Sequence, residues 1–378
     1  DDQLVRPPAA LRPLYDAFVP VRVTDMRGVD LDRYRFDTDL TFAVLWMHAD
    51  GTVYHRYGSR DHRSAEQWLS LTSLEAAMRA SLRAHQRHEP SEVDPELAPP
   101  PPRRLEDSPS YARRDKGACI HCHSVLPAGY EDAREAGTWR EVDRWRFPDP
   151  VRLGLDLDTD DQRLVTRVDE GSPAAAAGLR VGDLLVRLAG AELATVADLM
   201  FVLDELPAEG GEVTLEYVRH DDDPSGLPLE LRDFGMIRTL TLDLPDGWKT
   251  AMPLEFSWRP FKWGFTPAPG FGGPPLSAVE LEAAGLSTAD APGAFAFRVQ
   301  YMVTWGDNAR FGQAAARAGL RVGDVVVAVT GAEGTPADLA SVDHFHAWWR
   351  LTRKVGEVVT LTVLREAERL ELELAVLE

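Results

Sequence analysis

The chain has 378 residues, of which 44% are hydrophobic, so it carries enough apolar material for about two to four domains with buried cores. Its 61 acidic and 41 basic side chains leave a formal net charge of -20. That charge repels phosphate backbones and anionic lipid, which argues against nucleic-acid binding and against attachment to a membrane surface. No apolar run is long enough to span a bilayer, and we expect no transmembrane segment.

Residues 1–88 predict a unit of three strands and one helix. Alternating apolar residues in FVPVRVTD, LTFAVLWMH and TVYHRYG predict the strands, Ala49-Asp50-Gly51 predicts a hairpin turn, and SLEAAMRASLRAH predicts an amphipathic helix. This order resembles the C-terminal part of a thioredoxin-like domain. The redox C-x-x-C of that family is missing from this region, so the resemblance implies an incomplete thioredoxin-like domain without dithiol chemistry.

Two histidines, His85 and His88, stand near the end of the predicted helix. Their spacing of three places them on one helix face. They are either solvated helix-end histidines that interact with the last carbonyl groups, or metal ligands. As ligands, they are our candidates for the sixth position of a haem iron held by the segment that follows.

Residues 89–150 predict a proline-rich linker. The run Pro99-Pro100-Pro101-Pro102, many charges and few apolar residues leave this segment unable to build a core of its own, so we expect it to be irregular. Both cysteines of the chain lie here, in Cys119-Ile120-His121-Cys122-His123.

The C-x-x-C-H spacing is the attachment signature of c-type haem. Two thiols at this spacing can form thioethers with both vinyl groups of one haem, and the histidine that follows can ligate the iron. We therefore expect haem c held covalently by Cys119 and Cys122, with His123 as the proximal metal ligand. Three alternatives remain: a zinc site, a soft-metal site, for instance for copper, and a disulfide or redox dithiol. A zinc site would lack a second pair of ligands, and a redox dithiol normally follows an apolar strand, which this segment does not have.

An internal repeat organises the second half of the chain. The string AGLRVGD occurs at 177–183 and again at 318–324, each time before an apolar run and a glycine. In the first copy, strands are predicted in LGLDLD, RLVTRV, LLVRLAG and EVTLEYV, with a short alanine-rich helix and a longer helix in TVADLMFVLDEL. This order, together with GSPAAAAGLRVGD, resembles a bacterial PDZ domain of the protease-associated kind, here within residues 151–244.

The PDZ resemblance implies peptide binding by strand addition. A partner with a free C-terminus would pair with the edge of residues 153–158 and lie against the helix that begins near Thr195. The positions that match this groove are Arg152, Leu153, Gly154, Leu155, Leu199 and Leu203. Ordinary core packing is the alternative role of the two helix leucines.

Residues 245–292 predict a bridging segment rich in proline, glycine and tryptophan, and residues 293–378 predict a second PDZ domain. The second copy keeps AAARAGLRVGDVVVAVTG and a helix in SVDHFHAWWRLT. Its strand region AFAFRVQYMV lacks a clear apolar-glycine-apolar loop, so we expect its groove to be closed.

The whole order, a thioredoxin-like unit, a C-x-x-C-H segment and two PDZ domains, resembles a family of exported bacterial proteins, some of which carry selenocysteine in the thioredoxin motif. We therefore predict an α/β plus mostly-β chain with an irregular haem-attachment segment, in a periplasmic or otherwise extracytoplasmic location. The chain begins at Asp1 without a methionine, and we expect that an export signal or anchor has been removed.

The leading functional hypothesis is a c-type-haem protein for electron transfer or redox sensing, tethered to partner proteins through its PDZ domains. Its expected partners are protein or peptide C-termini, a redox protein and a second copy of the chain. One alternative is a non-catalytic PDZ scaffold whose cysteines form a disulfide or a metal clip. Another is a haem enzyme of the peroxidase or oxidase type. No Ser-His-Asp order or metal-hydrolase motif indicates a different reaction.

Overall fold

The computed structural model divides into two units, Asp1–Ala251 and Met252–Glu378. In the first unit it describes residues 9–40, 42–61, 66–89, 101–112, 120–138, 140–219 and 237–249. In the second unit it describes residues 266–286, 295–306, 308–334, 337, 339, 342–366 and 368–377. Cys119 lies outside the described residues.

The first unit begins with a β-hairpin packed on one long helix. Helix α1 covers Arg12–Tyr15, strands β1 and β2 cover Val44–Met47 and Val53–Tyr57, and helix α2 covers Leu71–Arg87. The strands pair antiparallel around the predicted hairpin turn. Helix α2 starts where the Ser70 side chain accepts a hydrogen bond from the Ser73 amide. The small core between hairpin and helix consists mainly of Trp46, Tyr57, Leu74, Ala77 and Met78.

The predicted first strand, FVPVRVTD, is wrong. Residues 18–25 carry no strand, and Val19, Val21 and Val23 are 90%, 82% and 60% exposed. Alternating valines form a strand only where a neighbour can pair with them and a core can bury one face, and Pro20 removes one of the amide donors that pairing needs. Among the described residues of this region the sheet is the β1–β2 hairpin, and a thioredoxin-like fold is not shown.

The described part of residues 89–150 is more regular than we expected. It contains the short helix α3, Pro109–Ala112, a 3-10 turn at Cys122–Ser124 and helix α4, Val125–Glu135. Its apolar residues share a core with an earlier segment, made of Met26, Leu31, Leu105, Ile120 and Ala128. The segment lacks a core of its own, as its composition indicates, but it folds because residues 26–31 supply the missing half.

Residues 150–219 and 237–244 form the β-rich part of the first unit. A 3-10 turn, Pro150–Leu153, leads into strand β3, Leu155–Leu157, which pairs antiparallel with β4, Val165–Val168. A second antiparallel sheet has the order β6-β5-β7-β8. Its strands are β5 (Asp183–Leu188), β6 (Ala191–Glu192), β7 (Gly211–Arg219) and β8 (Arg238–Leu244), and the helices are α5 (Pro173–Ala176) and α6 (Val196–Glu205). The strands and helices predicted from 153 to 219 are confirmed.

The second unit has a comparable order of elements. Strand β9, Phe271–Gly272, pairs with β11, Tyr301–Met302, and a four-stranded antiparallel sheet has the order β10-β12-β13-β14. The remaining elements are α7 (Ala278–Ala283), β10 (Phe297–Arg298), α8 (Ala309–Arg317), β12 (Val325–Thr330), α9 (Val342–Thr352), β13 (Val358–Arg365) and β14 (Glu368–Ala375). Over the described parts of both units, no helix combines the length and the apolar character that a membrane crossing requires.

The repeated AGLRVGD string makes the same contact in both units. In the first, the Arg219 guanidinium donates to both carboxylate oxygens of Asp183 at 2.7 and 2.8 Å and to the Gly178 carbonyl at 3.0 Å. In the second, Arg365 donates to both oxygens of Asp324 at 2.8 Å. An arginine at the end of a long strand thus closes the glycine-aspartate turn in each unit with a bidentate ion pair.

Candidate functional site

The predicted groove of the first unit lies at the start of β3. Gly154 ends the 3-10 turn before this strand with a φ of 76°, a left-handed conformation open to glycine. A Cβ atom at this position would lie 2.0 Å from the Cβ of Ser172, so only glycine allows the two segments to approach. Four predicted groove leucines are at most 1% exposed and belong to the hydrophobic core: Leu153, Leu155, Leu199 and Leu203.

Arg152 packs inward rather than facing solvent. Its side chain is 8% exposed, and its guanidinium lies 4.6 Å from the centre of the Trp145 ring. Burial lowers the pKa of Arg152 to about 10, which still leaves it cationic at neutral pH. Its charge is therefore directed at an aromatic face of the same chain.

Helix α6, the helix of the predicted groove, is held by strand β2 at its first turn. The Asp198 carboxylate accepts hydrogen bonds from the Arg56 amide at 2.8 Å and from the Thr195 amide at 3.2 Å, and it lies 3.1 Å from Nδ1 of His55. The Thr195 hydroxyl donates to the Arg56 carbonyl and accepts from the Asp198 amide. The capping box that starts this helix therefore also binds the N-terminal hairpin.

The next turn of α6 is covered by the same hairpin. The Arg56 guanidinium lies 3.5 Å from the centre of the Phe201 ring, and the Ser59 hydroxyl contacts the sulfur of Met200 at 2.8 Å. The space left between these groups is a cavity of about 10 Å³, which is room for one water molecule at most. The hairpin and the helix are thus packed closely.

The last turn of α6 is bound by the segment that precedes the PDZ-like strands. Asp204 accepts hydrogen bonds from the Arg146 guanidinium at 2.7 to 3.0 Å and from the Phe147 amide at 2.9 Å. Phe147 and Trp68 both enter the core that contains Leu199 and Leu203. A peptide that lay along this side of α6 would have to displace β2 and residues 146–147.

A larger cavity lies in the second unit, between β9 and helix α9. Its volume is about 360 Å³, within the range of about 300–1,000 Å³ that is usual for ligand pockets. Phe271 and Tyr301 line it from the strands, and Val342, His346 and Arg350 line it from the helix. Within the described residues β9 has β11 as its strand neighbour, so its second edge has no strand paired to it there.

Helix α9 contributes two polar side chains to the wall of this cavity, His346 and Arg350, one helical turn apart. Arg350 is 6% exposed. Burial, together with the charge of Arg350, lowers the pKa of His346 to about 3, so the imidazole is neutral at neutral pH. The buried Nδ1 of His346 has no hydrogen-bond partner in the described part of the chain. Such an atom costs about 1–3 kcal/mol, which a ligand that bonds to it would offset.

Strand β9 was not among the strands expected from the sequence, and the closed groove expected in the second copy stays a prediction. The sequence places residues 270–273 in the bridging segment, whereas the structure pairs Gly272 with Tyr301 and Phe271 with Met302. The glycines of residues 270–273 were a sequence signal for a close backbone approach. In the structure, a Cβ on Gly272 would lie 2.7 Å from the Tyr301 hydroxyl and 3.2 Å from Nε2 of His346, so this position needs glycine.

The described part of the C-x-x-C-H segment, residues 120–123, lies against residues 25–40. The Ile120 amide donates to Asp25 at 3.0 Å, and Sγ of Cys122 lies 3.7 Å from the Leu40 carbonyl oxygen. Burial raises the pKa of the Cys122 thiol. Nδ1 of His123 lies 3.4 Å from the buried Asp39 carboxylate, and the ring is 48% exposed.

The other two candidate metal ligands lie at the end of α2. The phenol of Tyr54 is 3.0 Å from Nδ1 of His85, and Nε2 of His88 is 2.8 Å from the Asp50 carboxylate. His88 therefore meets the hairpin turn, together with His48. That either histidine ligates a haem iron stays a prediction.

Comparison with known proteins supports one of these modules directly. Residues 164–219 match the family model of the PDZ domain, and no curated protein matches the chain. The match runs from just before β4 to the end of β7 and includes helix α6. The chain therefore contains a PDZ domain, a module whose presence suggests peptide binding and protein–protein interaction.

Proposed function

We propose that the protein is a peptide-binding adaptor in which the second unit is also a PDZ domain and supplies the open binding site. The observation that carries this proposal is the cavity between β9 and α9, with His346 and Arg350 in its wall. The repeated ion pair of Arg219 with Asp183 and of Arg365 with Asp324 supports a common fold for both units. The first groove is held covered by the N-terminal hairpin.

The ligand of this cavity is an extended peptide with a free C-terminal carboxylate. Its backbone adds to the second edge of β9, and its last side chain enters the cavity. The carboxylate pairs with Arg350, since a guanidinium offers a carboxylate two parallel donors, and neutral His346 bonds to a backbone or side-chain group. Main-chain pairing over a few residues supports a Kd near the micromolar range, about -8 kcal/mol.

A peptide library with free C-termini, titrated against the full chain by fluorescence anisotropy, tests the proposal. Arg350→Gln should weaken the best peptide about 10- to 100-fold, because a hydrogen bond to a charged group contributes about 1.5–3 kcal/mol. Lys354→Gln, on an exposed residue near the same helix end, removes the same charge without touching the cavity and should leave the Kd unchanged.

The same peptide with an amidated C-terminus is the ligand-side control. It should lose about as much affinity for the wild type as Arg350→Gln loses for the free acid, and the two losses should not add, since both remove one interaction. Equal binding of acid and amide, or equal effects of Arg350→Gln and Lys354→Gln, would place the peptide elsewhere.

A second candidate function, covalent binding of haem c for electron transfer or redox sensing, rests on the environment of His123. Histidines that ligate metals commonly donate their other ring N–H to a carboxylate, which is the relation of His123 to Asp39. The raised pKa of Cys122 disfavours the thiolate that a metal clip or dithiol needs, whereas a thioether is uncharged. Cys119 and Cys122 would hold the porphyrin and His123 the iron, which supplies one-electron chemistry when bound. An extracytoplasmic location of the protein is part of this second proposal.

Expression with cytochrome c maturation machinery tests the haem proposal. Intact mass under reducing, denaturing conditions should show one added haem, and Cys119→Ala with Cys122→Ala should abolish it. Asp39→Asn should keep the added mass but shift the reduction potential, since it alters the hydrogen bond of the ligand. An unmodified mass from the competent host would exclude haem and leave the peptide proposal untouched.

A further inference from the structure

The turn of the N-terminal hairpin and the end of helix α2 bring two histidines to one carboxylate. The His48 amide donates to the Thr52 carbonyl at 2.8 Å, which closes the turn between β1 and β2. His88 follows directly after the last residue of α2. The side chains of His48, Asp50 and His88 are 22%, 10% and 13% exposed, so the cluster is shielded but reachable from solvent.

The Asp50 carboxylate is divided between the backbone and the imidazoles. Its Oδ1 accepts a hydrogen bond from the Thr52 amide at 2.8 Å, which fixes the plane of the group. Its Oδ2 lies 3.0 Å from Nδ1 of His48 and 2.8 Å from Nε2 of His88. One oxygen therefore meets two ring nitrogens, and each of these contacts needs a proton or a cation between the atoms.

The spacing suits a metal ion. One ligand atom from each of the three residues lies within 4.8 Å of the other two. Bonds of about 2.0–2.2 Å to a tetrahedral zinc ion place ligand atoms about 3.4 Å apart, so the two contacts would open by only a few tenths of an ångström. Two imidazoles and a carboxylate form the ligand set that a zinc ion with an open fourth position takes.

Neighbouring aromatic side chains hold the two imidazoles in place. The rings of His48 and His88 are 4.6 Å apart, and the Tyr54 ring lies 5.4 Å from that of His88. His85 is exposed; its Nδ1 lies 3.0 Å from the Tyr54 hydroxyl, and its ring lies 5.5 Å from that of His48. These contacts orient the ligands, and His85 packs beside them without reaching Asp50 in the way that His88 does.

We propose that His48, Asp50 and His88 bind one divalent ion of the zinc class through Nδ1, Oδ2 and Nε2, with the fourth position open to water or an exogenous ligand. The ion ties the end of α2 to the hairpin turn, the same hairpin whose second strand covers α6. The site shares no residue with the peptide cavity or with Cys119, Cys122 and His123, so its loss would leave both of those proposals standing; zinc on Nε2 of His88 leaves His85 as the candidate sixth ligand of a haem iron.

Calorimetric titration of the full chain with zinc chloride tests the site, in a Cys119→Ser, Cys122→Ser background so that thiol binding does not contribute. One equivalent should bind, and Asp50→Asn and His88→Gln should each weaken binding more than about tenfold. His121→Gln, on an exposed histidine outside the cluster, is the control and should bind as the background protein does. Cobalt(II) should give the intense visible bands of a four-coordinate ion.

Loss of folding is separated from loss of ligands by circular dichroism of each metal-free variant, which should match the parent. Zinc should also raise the thermal midpoint of the parent and leave that of His88→Gln unchanged, because an ion that binds the folded state alone stabilises it. No zinc binding by the parent, or an equal loss in His121→Gln and His88→Gln, would overturn the assignment in favour of a hydrogen-bonded His-Asp-His cluster without an ion.

Discussion

Replacing Asp198 by alanine should both destabilise the first unit and detach the hairpin from α6. The carboxylate is 4% exposed and accepts from three backbone amides, those of Arg56, Ala194 and Thr195, besides its contact with His55. Asp198 is the N3 residue of the capping box, and loss of its bond to the Thr195 amide costs about as much as loss of a helix cap, about 0.5–2 kcal/mol. The Arg56 amide and His55 would each lose a buried acceptor at about 1–3 kcal/mol. We expect a total of about 3–5 kcal/mol, in the lower half of the sum of these contributions.

Urea unfolding of the full chain, followed by tryptophan fluorescence, measures the loss. Hydrogen exchange read by mass spectrometry assigns it, since amides near Arg56 should exchange faster together with those of α6. Asp243→Ala, an exposed aspartate on β8, is the matched control and should change the unfolding free energy by less than about 0.5 kcal/mol. An effect of Asp198→Ala no larger than that of the control, or faster exchange limited to residues 195–198, would refute the coupling of cap and hairpin.

Two further predictions concern the turns of the two units. Burial raises the pKa of Asp324, but hydrogen bonds from Arg365 and the Arg321 amide outweigh it and hold that pKa below its ordinary value. The ion pair therefore stabilises the second unit fully above about pH 4, and this stabilisation is lost as the pH falls through the lowered pKa of Asp324 in the folded state. Urea unfolding across this range should show that the free energy of unfolding falls more steeply with decreasing pH for the wild type than for Asp324→Asn. Equal slopes would contradict this. Gly154 and Gly171 have nearly the same φ, 76° and 75°, but only Gly154 has a neighbour that a Cβ would strike. Gly171→Ala should lower the free energy of unfolding by about 1–2 kcal/mol, because alanine is strained in the left-handed conformation. Gly154→Ala should lower it by at least about 2 kcal/mol more, because the added Cβ also strikes Ser172. Similar unfolding midpoints of the two variants would show that Ser172 moves aside without an energetic cost.

Local patterns predicted the elements of the PDZ region closely. The predicted helix that begins near Thr195 forms as Val196–Glu205, because a capping box and an apolar stripe specify it within a few residues. The same kind of argument failed for FVPVRVTD, since alternation does not say whether a neighbouring strand exists. The alternation of apolar residues also did not predict β9, because this strand has only two residues, between glycines, and two residues show no periodicity.

The candidate sites were predictable only where neighbouring residues form them. The C-x-x-C-H spacing is complete within five residues, and the AGLRVGD repeat marks both glycine-aspartate turns, so the sequence by itself determined these. Tertiary structure alone decided that Arg56 lies against Asp198, 142 positions away, and that His88 lies against Asp50, 38 positions away. Periodicity and spacing report which face of an element is apolar, whereas the partner of that face depends on how distant segments pack. For the same reason the sequence did not predict that β2 packs on α6 or that β9 lies beside α9, the two arrangements on which our proposal of an open groove in the second unit rests.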